Sequence, residues 1–212
     1  MSDPFEPDDE SAPHIDIAAL LEEIPLLYRA RAFADAMNGA RFLQRLGEPL
    51  DGVDRILAQS YLDGLGFPDA RPAILESWED ATAAAESLDL NTEGWEVEEA
   101  LRASVTQAAL DRLDEGALHA ALTIVADKAG EAARDAIDEA AAIWDLTDAA
   151  FLNAAAGAAV QSAHLATLAL LASDEEDPES DELLDHPFMA KFRLFARGRW
   201  PVGLAGRTLN VF

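Results

Sequence analysis

Residues 149–173 read AAFLNAAAGAAVQSAHLATLALLAS, twenty-five positions without a charge. Alanine dominates the run, which favours helix and lets a neighbouring helix approach closely. A helix that is apolar all round must be covered all round. The length would also suit a bilayer. Against a membrane span stand Asn153, Gln161 and His164, each costly in hydrocarbon, and acidic flanks with no basic cluster. The segment therefore reads as the central helix of a folded core. Strand formers are sparse until the last dozen residues. The expected fold is all-α: an antiparallel helical bundle of about six to eight helices with a short C-terminal β-hairpin.

Within that helix, Asn153, Gln161, His164 and Thr167 fall in roughly a third of the wheel at 3.6 residues per turn, together with Gly157. Such a sector is either a satisfied polar seam at the solvent edge or the lining of a ligand-binding pocket between helices. These four residues are the candidate ligand-binding set.

Other chemistry is scarce. There is no cysteine, which excludes disulfides and thiolate sites. Glu115 with His119, and Glu182 with His186, are spaced i,i+4, and His164 could join His119 across antiparallel helices. No Glu-x-x-His pair of the di-iron kind occurs, so neither a metal nor a cofactor is expected. Neither a Gly-x-Ser-x-Gly elbow nor a phosphate-binding loop is present. Paired acids such as Glu22/Glu23 and Glu98/Glu99 point apart on a helix, as a solvated face would have them. Trp78, Trp95 and Trp144 read as core anchors. No catalytic residue is assigned, and the chain reads as a non-enzyme.

Three regions follow from the punctuation. Residues 1–13 form an acidic tail rich in proline. Residues 14–197 form the helical bundle, with an acidic linker at 173–185. Residues 198–212 form the hairpin appendage, reversing around Ala205 between Gly203 and Gly206. Helix starts are expected at Asp16, Asp51, the 69–72 region, Thr92, Thr147 and Asp185. Pro25 should interrupt the first helix, and residues 116–144 form one long helix or two joined near Gly130. Val53, Ile56, Leu57 and Tyr61 should share a buried face, as should Phe188, Phe192 and Phe195.

Charge is the last constraint. Forty-one acids face fifteen basic residues, a formal net charge of −26. Yet the final segment, KFRLFARGRWPVGLAGRTLNVF, carries five basic residues and no acid. This tail could neutralise acids of its own body, dock on a second copy, or bind an anionic partner. Arg199, Trp200, Arg207 and Phe212 are the candidate interface residues. An exterior this acidic repels nucleic acid and anionic membranes. The expected partner is a protein, basic in character, met as an inhibitor or immunity-type protein meets a toxin. A small-ligand or metal-binding protein and a structural homo-oligomeric subunit are the alternatives. The acidic start, without an apolar run, implies a cytoplasmic location.

Overall fold

The computed structural model describes residues 24–87, 92–145, 148–174 and 181–212. These are mostly helical, with a small three-stranded sheet. The expected caps at Asp16 and Thr147, the acidic tail 1–13, and residues 175–180 of the linker lie outside the described residues.

In chain order the elements are α1 (Pro25–Ala36), a 3-10 turn (Met37–Gly39), α2 (Gly52–Gly64), β1 (Arg71–Ile74) and α3 (Trp78–Glu86). Then come α4 (Glu93–Leu110), α5 (Glu115–Trp144), α6 (Ala149–Ala172), α7 (Asp181–Leu184), α8 (Pro187–Ala196), β2 (Pro201–Ala205) and β3 (Thr208–Val211). Pro25 opens α1 at the first turn behind an extended Ile24, where its missing N–H costs nothing, and the segment expected before it lies outside the described residues. Asp51 caps α2 in a reciprocal capping box with Asp54, and Thr92 caps α4. Asp148 caps α6, accepting from the amides of Ala150 and Phe151. His186, not Asp185, caps α8 through its ring nitrogen. Gly130 interrupts nothing: α5 is one helix of 30 residues, ending at Asp145 in the left-handed conformation (φ 51°).

α5 and α6 form the most extensive helix pair. Alanines buried on α5 at 117, 121, 129, 133, 136 and 140 meet Phe151, Ala155, Ala159, Ala163 and Ala166 on α6. Small side chains at this spacing bring the backbones close and fill the gap without strain. By length and composition α6 could cross a membrane, but 61% of its most apolar window is buried in the structure.

α8 is buried on two sides. Phe188, Met189, Phe192 and Phe195 enter the large core shared with α1, α5 and α6, while Ala190 and Leu194 enter a second, smaller core with α2 and the sheet. The two cores thus share one helix, whose remaining side carries Lys191, Arg193 and Arg197.

The sheet departs from expectation in one respect. Residues 71–74, taken as the opening of a helix, instead form β1, and α3 begins later, at Trp78 behind a Ser77 cap. β1 runs parallel to β3 (Arg71 opposite Thr208, Ile74 opposite Val211), and β2 runs antiparallel to β3. The order is therefore β1-β3-β2, so the C-terminal strands are held by a strand from far earlier in the chain. Pro72, which cannot donate to a ladder, lies on an edge strand. The reversal lies at Gly206–Arg207, where Gly206 takes φ 59°, not at Ala205. A second expectation also shifts: Leu57 and Tyr61 are buried, but Val53 and Ile56 of the same helix are exposed.

Gly198 joins α8 to β2. It takes φ 93°, and a Cβ there would lie 2.9 Å from the Arg45 amide nitrogen. Arg45 donates that amide to the Gly198 carbonyl (3.1 Å). We expect Gly198→Ala to destabilise the protein by roughly 1–3 kcal/mol in urea unfolding. Gly157→Ala, at an open helical position, should stabilise it by about 0.5–1 kcal/mol. Equal effects at the two sites would contradict this account of the junction.

Candidate functional site

The basic tail turns inward. Arg199 is fully buried, and its guanidinium makes four hydrogen bonds and a close ion pair. Nε and Nη2 reach Asp54 Oδ2 at 3.0 and 2.9 Å. Nη2 also donates to the Pro49 carbonyl (2.8 Å), and Nη1 to the carbonyls of Glu48 (2.7 Å) and Arg45. Arg197 bridges Asp54 Oδ1 and Asp51 Oδ2, both at 2.7 Å. Arg45 adds Glu48 (3.0 Å) and Asp51 (3.2 Å). Burial alone would raise the Asp54 pKa, but the hydrogen bonds from Arg197, the Asp51 amide and Arg199 outweigh it and hold the carboxyl below its ordinary value. Asp51 is lowered too, chiefly by the amide of Asp54.

Of the residues assigned to an interface, Arg199, Trp200 and Phe212 are therefore interior. Trp200 and Phe212 exchange backbone hydrogen bonds (2.6 and 2.8 Å), and their rings pack on Phe151 and Trp144. Arg207 alone is exposed, 3.4 Å from Asp69. Composition marked these residues as basic and aromatic, but could not show that their own chain supplies the partners.

The four residues of the polar sector on α6 do not meet at one cavity. Asn153 and Gln161 are exposed, His164 is half-buried, and Thr167 is buried with its hydroxyl donating to the Ala163 carbonyl (2.8 Å). The sector is a solvent edge that passes into the core towards the C-terminal half of the helix. Burial, then the charge of Arg102, lowers the His164 pKa. His119 is exposed on α5, and no group of three or more His, Cys, Asp or Glu side chains converges among the described residues.

Gln161 does line a cavity of about 250 Å³, together with residues the sequence reading left aside. Here α2, α4 and α8 bring Tyr61, Glu98 and Lys191 together. Lys191 Nζ lies 2.6 Å from Glu98 Oε1 and 5.4 Å from the centre of the Tyr61 ring. The Tyr61 hydroxyl donates to Glu98 Oε2. Burial, reinforced by the Glu98 carboxylate, pushes the Tyr61 phenol well above its ordinary value, so it stays protonated. Trp95, expected in the core, stands half-exposed at this cavity.

A second concavity lies between α5 and the 3-10 turn. Glu131, Asp135 and Glu139, spaced i, i+4, i+8, form its rim, and Met37, Ala40, Ala132 and Ala136 form its floor. Gln44 Nε2 donates to Glu139 (3.2 Å), and Lys128 pairs with Glu131 (3.1 Å). Asp135 and Glu139 form no ion pair among the described residues. Met37 and Ala40 also line an adjoining apolar pocket with Phe33, Ala36, Phe192 and Ala196. The repeat of carboxylates at one helical face was legible in the sequence; the apolar groove beside it was not.

No family model, curated protein or solved structure matches the chain.

Two outcomes test the buried cluster. Arg199→Met should destabilise the protein by about 3–5 kcal/mol, because Asp54 and three carbonyls lose donors in the interior. Arg207→Met, in an exposed pair, should unfold with the wild type in the same urea titration. The pH dependence follows from the signs. Burial lowers the pKa of His164 and His186, so stability is complete above their ordinary value of 6.5 and is lost as pH falls below it, when the unfolded chain takes up protons first. Asp51 and Asp54, both lowered, give a second loss below 3.8. Since Nδ1 of His186 accepts from the Phe188 amide (3.2 Å), His186→Asn keeps a cap acceptor and should flatten the slope between about pH 5 and 7. An unchanged slope would contradict this.

Proposed function

We propose that the chain is a non-enzymatic binding module that takes a basic protein segment into the groove between α5 and the 3-10 turn. The observation that supports this reading is the disposition of charge. Four of the five basic residues of the C-terminal segment, Lys191, Arg197, Arg199 and Arg207, pair with acids of their own chain. Three of these cations, Lys191, Arg197 and Arg199, sit at partly or fully buried joints, and the exposed carboxylates of α5 remain. In that groove the acidic rim would steer an approaching basic chain, and the apolar floor would receive its hydrophobic side chains. The pocket between Phe33 and Phe192 suits an aliphatic or aromatic anchor. An amphipathic basic helix has both features. A cytoplasmic setting and the absence of nucleic-acid binding belong to the same reading.

The test uses a synthetic helical peptide with Lys and Arg on one face and Leu and Phe on the other, titrated by calorimetry. It should bind the full chain, more weakly as salt rises. Neutralising the rim with Glu131→Gln, Asp135→Asn and Glu139→Gln should weaken binding at least about tenfold. Neutralising Glu76, Glu79 and Glu86, exposed elsewhere, should change it far less. Equal losses in the two triple variants would mean that net charge alone attracts the peptide, and would overturn the assignment of the groove.

A further inference from the structure

A different cavity lies between α2, α4, α8 and the sheet. Around Tyr61, Glu98 and Lys191 it offers charged N–H donors that its own carboxylates do not use up. Both oxygens of Glu98 are occupied, one by Lys191 and one by the Tyr61 hydroxyl. Both oxygens of Glu99 are occupied by Arg102, through Nε (2.9 Å) and Nη2. Each carboxylate oxygen at this cavity thus already accepts from a cationic or hydroxyl donor, whereas several N–H groups of the cations donate to nothing among the described residues. Among the described residues Nη1 of Arg102 makes no hydrogen bond, and Lys191 uses one of its three N–H groups on Glu98. Lys191 is largely buried, with 17% of its side chain exposed, so its spare donors face the cavity rather than bulk water.

The lining also has an apolar part: Trp95, Leu204 of the edge strand β2 and Leu165 of α6. An indole that is 46% exposed at a concavity leaves apolar surface wet until something covers it. A volume of about 250 Å³ equals roughly eight water molecules at liquid density, enough for a small organic molecule and too little for a folded peptide.

We infer that this cavity binds a small organic carboxylate with a compact apolar body, its carboxylate between Arg102 and Lys191 and its body against Trp95 and Leu204. The four formal charges around the cavity cancel, so the site is locally neutral in a strongly anionic chain. The bound anion is therefore selected by directed donors. Arginine offers two parallel N–H groups to a carboxylate, which a neutral amide or an ammonium ion cannot use in the same way. Gln161 is the one residue of the α6 polar sector that lines this cavity.

The experiment uses 3-phenylpropanoate as probe, with 3-phenylpropanamide and 2-phenylethylammonium as neutral and cationic counterparts of similar size. Binding to the full chain is followed by calorimetry and by ligand-detected NMR in about 0.15 M salt, which limits repulsion from distant carboxylates. The carboxylate should bind saturably at or below about 1 mM, the amide at least tenfold more weakly, and the ammonium ion more weakly still. Arg102→Met should weaken the carboxylate about tenfold with an unchanged thermal midpoint, since Arg102 lies at the surface of α4. Trp95→Ala should weaken carboxylate and amide alike, and the triple variant of the α5 groove should leave both unaffected. Equal binding of amide and carboxylate, preference for the ammonium ion, an unchanged affinity in Arg102→Met, or no saturation in the millimolar range would each overturn the inference.

Discussion

The ion pair between Arg199 and Asp54 is the joint on which the architecture depends. Both side chains are fully buried, and an unpaired charge there would be costly. The cost is met because the guanidinium makes four hydrogen bonds from all three of its nitrogens and because Asp54 accepts from two arginines and from the Asp51 amide. Asp54 is also the third residue of α2 and closes that helix's capping box. One carboxylate therefore starts a helix, receives the end of α8 through Arg197, and fixes the entry to β2 through Arg199. Three carbonyls of the 45–49 loop are held to the same guanidinium. Removing either partner loosens a helix start, a loop and a sheet together.

This joint explains the uneven charge of the chain. A body with so many acids repels itself, and cations placed at its internal seams relieve that repulsion where it would separate the parts. The same placement keeps those cations away from the outer carboxylates, of which Asp135 and Glu139 form no ion pair among the described residues. The aromatic end of the chain follows the same logic: Trp200 and Phe212 close the ladder beside Gly198 and pack on Phe151 and Trp144 near the junction of α5 and α6.

The sequence disclosed what local patterns encode. The cover required by residues 149–173, the caps at Asp51 and Thr92, and the buried stripe of Phe188, Phe192 and Phe195 follow from composition and helical period. β1 was hidden because its four residues have no alternation of their own and contain Pro72; they become a strand only by pairing with β3, more than a hundred positions away. Val53 and Ile56 looked interior because their spacing suits a helix face, yet nothing in the chain says which side of α2 meets α8. The inward course of Arg199 was illegible for a related reason, since a buried guanidinium depends on acceptors from a loop and a distant helix. Likewise Tyr61, Glu98 and Lys191 stand on three separate helices, and only the register of those helices makes them neighbours. The polar sector on α6 shares an arc of the helical wheel, but such an arc on one helix does not define a cavity.

Hydrogen exchange in Asp54→Asn tests the dependence on the joint most directly. Asparagine keeps the shape of the side chain and removes its charge. The account predicts that the amides of Trp200, Phe212 and Leu75, and those of the first turn of α2, lose protection together by a similar factor, while the centre of the α5–α6 pair keeps its own. Protection unchanged at Trp200 and Phe212, with the loss confined to the first turn of α2, would show that Asp54 serves only as a local cap and would contradict the account.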